Sequence, residues 1–174
     1  MSSRRHLARL AIAAALAASA PAITGAATYS NGTATATFQV TLTIIANCII
    51  AANPLNFNST QGVLATAVNT TTTLSVTCSN TTPYNLGLNA GTGTGSTIAA
   101  RTLSSTTGGN NSVVAFNLFQ TAGATNWGNS QGTDTVSGTG SGAAQTVTVY
   151  GQVPAQNTPQ PDTYKSTITA TVYF

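Results

Sequence analysis

The chain has 174 residues and almost no charge: five are Lys or Arg and two are Asp or Glu, whereas threonine occurs 34 times. Three of the basic residues, Arg4, Arg5 and Arg9, lie in the first 22 positions, which leaves Arg101 and Lys165 balanced against Asp134 and Asp162. Such a chain has no basic patch with which to hold nucleic acid or an anionic membrane, and with His6 its only histidine and no glutamate it lacks the usual bases of nucleophilic catalysis.

Residues 1–22 read as an export leader. Arg4, Arg5, His6 and Arg9 form the basic start, residues 10–18 an alanine-rich apolar run, and Ala20-Pro21-Ala22 a small-residue cleavage site. The run is about half of the ~20 residues that cross a bilayer, and no later segment is apolar for long enough to do so. Ser3-Arg4-Arg5 also resembles a twin-arginine signal, although two early arginines are common in ordinary leaders.

Segment 23–44 follows. From Thr33 to Ile44 apolar and polar residues alternate without exception, so that Ala34, Ala36, Phe38, Val40, Leu42 and Ile44 share one face. The spacing predicts a strand about 40 Å long, twice the usual length. Its half nearest Cys48 can serve as the first strand of the chain's own domain, which leaves Ala34, Ala36, Phe38, Val40 and Leu42 as a segment available to another molecule.

Residues 45–174 read as one all-β domain. Threonine suits pleated, half-buried surfaces, while the strong helix formers Glu, Lys, Arg and Met are almost missing. Strands are predicted at 48–50, 55–57, 72–78, 84–89, 97–103, 113–120, 145–153 and 166–174, separated by Pro- and Gly-rich turns, with 133–142 as a mobile loop. Many short strands with such turns make a sandwich or barrel. Two cysteines, Cys48 and Cys78, in an exported chain favour a disulfide over two buried thiols, and their spacing matches no zinc pattern. The sequence ends within its last predicted strand, where Ile168, Ala170, Val172 and Phe174 would form the edge of an open apolar groove. Such an edge invites an added strand.

The order of short motifs carries a resemblance. Leu55-Asn56-Phe57, Leu74-Ser75-Val76-Thr77-Cys78, Pro83-Tyr84, Leu88-Asn89-Ala90-Gly91, Arg101, Phe116-Asn117-Leu118, Trp127-Gly128, Val149-Tyr150-Gly151-Gln152-Val153-Pro154, Tyr164 and the terminal Thr171-Val172-Tyr173-Phe174 resemble spore coat protein U domains, and with them the major pilins of archaic chaperone–usher pili. The resemblance implies an incomplete immunoglobulin-like β-sandwich that lacks its last strand and is stapled by one disulfide. It also implies assembly by donor-strand exchange, in which a periplasmic chaperone fills the groove first and a second copy of the chain replaces it at an outer-membrane usher, with a tip adhesin as a further candidate partner. Asn58 and Asp162 stand where the family usually has glycine, and Ser166 stands where an acidic residue is common.

The expected function is therefore a structural subunit of a surface pilus, serving adhesion and biofilm formation, without cofactor or metal. The alternative is a secreted coat or matrix protein or a sugar-binding module on the same sandwich. Asp134 and Asp162 are candidates for a glycosidase-like carboxylate pair, but both lie in turn-forming sequence. Trp127 is a candidate sugar platform or, more simply, an aromatic closing one end of the sandwich. Arg101 is expected to hold the fold together by hydrogen bonds.

Overall fold

The structure is a computed structural model that describes residues 31–58 and 62–174. The predicted leader lies outside the described residues. The chain divides into two units, Met1–Thr41 and Leu42–Phe174. Within the first, residues 31–41 are exposed throughout and form no strand.

The second unit is a two-sheet antiparallel sandwich of nine strands: β1 (Cys48–Ala52), β2 (Val68–Cys78), β3 (Pro83–Leu88), β4 (Arg101–Ser105), β5 (Val113–Phe119), β6 (Val136–Thr139), β7 (Ala144–Val153), β8 (Tyr164–Lys165) and β9 (Ala170–Tyr173). One sheet has the order β1-β2-β7-β5-β4-β8, and the other β6-β3-β9. No helix occurs among the described residues, so none is long and apolar enough to cross a membrane.

Period-two patterning decides which side chains meet between the sheets. On β2, Leu74, Val76 and Cys78 point inward and Thr73, Ser75 and Thr77 outward; β5 contributes Val114, Phe116 and Leu118, β7 Val149 and Val153, and β3 Tyr84, Leu86 and Leu88. Fully burying residues of this size contributes about 1.5–3 kcal/mol each. Cys48 and Cys78 lie directly opposite each other on β1 and β2 and are joined by a disulfide. Closing a loop of 30 residues stabilises the fold by roughly 3–4 kcal/mol on the chain-entropy account. Replacing both cysteines with serine is expected to lower the urea midpoint accordingly, and mass spectrometry of the unreduced wild type should find no alkylatable thiol.

Five local expectations are corrected. Two concern bounds: the strand predicted at 97–103 begins only at Arg101, as β4, and the one predicted at 166–174 is interrupted, residues 166–169 forming no strand between β8 and β9. Residues 33–44 alternate as read but form no strand, because alternation sorts side chains to faces without supplying a partner for the backbone N–H and C=O groups. Residues 55–57 likewise form no strand; Leu55 and Phe57 instead pack over Gly151 of β7, where a Cβ would collide with both side chains, and the Phe57 ring meets Phe116 edge to face at 6.3 Å. The segment 133–142 is not merely a loop. It contains β6, whose Gly138 lies opposite Tyr84 and leaves room for the Tyr84 ring against its backbone.

Candidate strand-acceptor cleft

β1 and β9 are each the last strand on one side of their sheets, and the two approach each other closely. A cleft of about 920 Å³ opens instead between the segment that continues from β1 and the path that leads through β8 to β9. Its floor is formed by core residues, including Leu74, Leu88, Leu103, Val114, Phe116 and Val149; one wall is the stretch from Ala52, the end of β1, to Asn58, and the other runs from Thr158 through β8 to Ala170.

The second wall is a strand path that changes sheets. Its start, β8, pairs with β4, and its end, β9, pairs with β3. Side chains pin the crossing between them: Ser166 Oγ accepts from the amides of Thr92 and Gly93 at 3.0 and 3.1 Å, the Thr167 amide donates to Thr92 Oγ1 at 2.9 Å, and the Thr169 amide donates to Asn89 Oδ1 at 2.9 Å. Thr169 O also accepts from the Asn89 amide. Backbone groups alternate in direction along an extended chain, so residues 169, 171 and 173 bond toward β3 while those of Ile168, Ala170 and Val172 point out of the sheet edge.

Of the residues expected at the groove edge, Ile168 and Ala170 line the cleft. Val172 belongs to the same edge but packs on the core from β9, and Phe174 is exposed beyond the strand end. In the candidate donor segment, Phe38, Val40 and Leu42 are 86, 84 and 85% exposed, with Ala34 and Ala36 also exposed.

Comparison with known proteins decides the family. The Spore Coat Protein U domain family matches residues 34–171. The chain belongs to that family. No curated protein matches it. Among solved structures it is similar to a chain of the CsuC–CsuE chaperone–tip adhesion subunit pre-assembly complex from archaic chaperone–usher Csu pili of Acinetobacter baumannii, with a TM-score of 0.56 and 23% identity. The alignment covers 76% of this chain and 41% of that one. The fold of this spore coat protein U domain is an immunoglobulin-like β-sandwich.

Each departure from the family pattern has a local account. Asn58 has φ 70°, a left-handed conformation that glycine adopts freely and asparagine tolerates, and its amide donates to Asn56 Oδ1 at 2.9 Å. Ser166 supplies the oxygen that receives two loop amides, as described above, a task a carboxylate could also perform. Asp162, at the rim of the cleft, ties the wall to the β4–β5 turn: it accepts from Ser105 Oγ, from Thr107 Oγ1 at 2.9 Å, from Asn110 Nδ2 at 3.0 Å and from the Thr163 amide at 2.7 Å. The Ser105 bond first, then those from Thr107, Thr163 and Asn110, holds its carboxyl well below the ordinary carboxylate range.

A depressed folded pKa stabilises the fold above the unfolded value of about 4 and ceases to do so as the pH falls through the lower folded value. Acidification from pH 5 toward pH 2 should therefore loosen this wall in the wild type. In Asp162→Asn that component should be absent; equal acid sensitivity of the two proteins, followed by tryptophan fluorescence, would count against the assignment.

The remaining candidates are structural. Asp134 Oδ1 accepts from the Ser130 amide at 2.6 Å and closes the 130–134 turn, apart from the partners of Asp162, so the two acids have separate local roles. Trp127 is fully buried and its Nε1–H donates to Leu86 O at 2.7 Å, which removes it as a sugar platform. Arg101 is fully buried and donates to the carbonyls of Asn89 and Leu88 at 3.0 Å each, Ile98 at 3.3 Å and Trp127 at 2.5 Å. Burial, partly opposed by the charge of Asp134, lowers its pKa to about 10, so it stays protonated at neutral pH. Sequence reasoning missed the cleft floor and the wall's side-chain pins. Only the recurrence of Ser, Thr and Asn near 89–94 and 162–169 hinted at the latter.

Proposed function

We propose that this chain is a structural subunit of a bacterial surface pilus that assembles by donor-strand complementation. In this reading it is exported through the periplasm, its cleft is first filled by a chaperone strand, and at an outer-membrane usher the 34–42 segment of a second copy replaces that strand. One observation carries the reading: a single chain combines an open apolar cleft, a strand edge with outward-facing backbone groups, and an exposed segment whose apolar residues recur at period two. The family membership and the likeness to a chain of a chaperone–subunit complex support it.

In this arrangement Ala34, Ala36, Phe38, Val40 and Leu42 turn toward the cleft floor, Thr35, Thr37, Gln39 and Thr41 stay outside, and the backbone adds a rung ladder to Ile168, Ala170 and Val172. Backbone bonds give affinity and the side-chain pockets give register. No titratable group is assigned a catalytic step.

Surface-sheared material run unboiled on a denaturing gel should give a ladder of multiples that collapses to one band on boiling, because the strand-completed contacts survive detergent but not heat. A single band before and after boiling overturns the proposal.

A further inference from the structure

The outer face of the six-stranded sheet turns away from the core, and most of it is polar. Thr71, Thr73, Ser75 and Thr77 of β2 lie beside Tyr150, Thr148, Thr146 and Ala144 of β7. One row differs. Tyr150 is flanked by Thr71 on one side and Phe119 on the other, and all three are on the outer face because Leu74, Val149 and Leu118 point inward. Phe119 is buried yet, among the described residues, is the one buried hydrophobic side chain that does not join the core cluster.

What covers Phe119 is a hairpin. Phe119 pairs with Asn126, the Gln120 amide donates to Thr125 O at 2.9 Å, and the Trp127 amide donates to Leu118 O at 2.8 Å. Gly123 supplies the left-handed turn, with φ 67°. Between the hairpin tip at Ala122 and Gly123 and the sheet row below is a recess of about 320 Å³, at the lower end of the ~300–1,000 Å³ typical of small-ligand sites.

The polar groups of the recess are neutral and oriented. Gln152 Nε2 donates to Asn69 Oδ1 at 2.9 Å across the β2–β7 pair, which fixes both amide planes. That bond leaves Gln152 Oε1 as an acceptor and Asn69 Nδ2 as a donor, neither with a hydrogen-bond partner among the described residues; the Tyr150 and Thr71 hydroxyls are in the same condition. Vicinal hydroxyls of a sugar each donate and accept, and so match an adjacent amide acceptor and amide donor, while the C–H face of a pyranose suits an aromatic ring. The lining holds no Asp, Glu, Lys or Arg, which fits an uncharged ligand.

We propose that this recess binds a neutral saccharide, one pyranose ring stacking on Tyr150 with its hydroxyls held by Gln152 Oε1 and Asn69 Nδ2. The site does not depend on the pilus reading, because the cleft is built on the opposite face of the sheet.

The test is saturation-transfer NMR on the full exported protein, in its native assembly state, with cellobiose, maltose, lactose and N,N′-diacetylchitobiose as probes. Transfer to the ring protons of at least one sugar is expected. Tyr150→Ala should weaken binding at least about tenfold and Tyr150→Phe should retain it. Gln152→Ala and Asn69→Ala, in the neighbouring and more exposed row of the same face, should weaken it without loss of the fold, and so report on the site even where Tyr150→Ala is unstable. Absence of transfer to all four sugars, or transfer unchanged in the Gln152 and Asn69 variants, overturns the proposal.

Discussion

A Phe38→Asp subunit expressed alone is expected to form no fibres, yet still to accept a wild-type strand and so to cap growing chains. Phe38 is 86% exposed in the free chain and would have to enter a cleft floored by Leu74, Leu88 and Phe116. The substitution removes about 1.5–3 kcal/mol of apolar burial. It also places a carboxylate among apolar side chains, with Lys165 on the wall the one cation among the cleft's lining residues, and away from that lysine this costs several kcal/mol more unless the group takes up a proton. At about 1.4 kcal/mol per factor of ten, each contact weakens by several orders of magnitude, and a polymer needs one contact per subunit. Val40→Asp should behave alike. Ala34→Ser, which alters little area, should leave assembly intact. Negative-stain microscopy decides the matter: fibres of ordinary length and abundance from Phe38→Asp alone refute the assignment of 34–42 as the donor. The mixture with wild type supplies the internal control, because a variant with a damaged acceptor cleft would be lost from the fibres instead of shortening them.

Arg101→Met is expected to prevent the subunit from accumulating. The guanidinium is the hub at one end of the sandwich, where it gathers the carbonyls of Leu88, Asn89, Ile98 and Trp127. These carbonyls come from the end of β3, the 89–98 loop, and the segment after β5, of which the first and last are also tied by the Leu88 amide donating to Gly128 O at 2.8 Å. Methionine fills a similar volume but leaves Leu88 O and Trp127 O buried beside an apolar side chain. With hydrogen bonds to a charged group worth about 1.5–3 kcal/mol and orphaned acceptors adding their desolvation cost, the expected loss exceeds about 3 kcal/mol. That is a large part of the stability of a domain. Arg101→Lys should be intermediate, because one ammonium cannot reach carbonyls on several sides as a planar fork does. The urea midpoint of the exported protein measures it, and a shift within error for Arg101→Met would overturn the structural role.

Much of this protein is legible from local chemistry alone. The scarcity of charge and of helix formers, with threonine alternating against Leu, Val and Phe, specifies strands, and for β2, β3, β5 and β7 it also specifies which face each residue takes. Cys48 and Cys78 and Arg101, the single arginine beyond residue 22, could be assigned structural roles because few other roles were open to them. What alternation cannot convey is the partner. Residues 33–44 carry the most regular pattern in the chain and form no strand, while Val136–Thr139, in Gly- and Ser-rich sequence, form one because β3 offers both an edge and the Tyr84 ring over Gly138. Trp127 in a polar loop gives no local sign of its complete burial over Leu86 O. The cleft is likewise beyond the reach of pattern, since its floor comes from β2, β3, β4, β5 and β7 and its wall is pinned by Asn89, Thr92 and Ser166 across more than seventy positions of sequence. Side-chain periodicity is set by the backbone of each residue and its neighbours, whereas hydrogen-bond partners and burial are set by whatever the fold brings alongside.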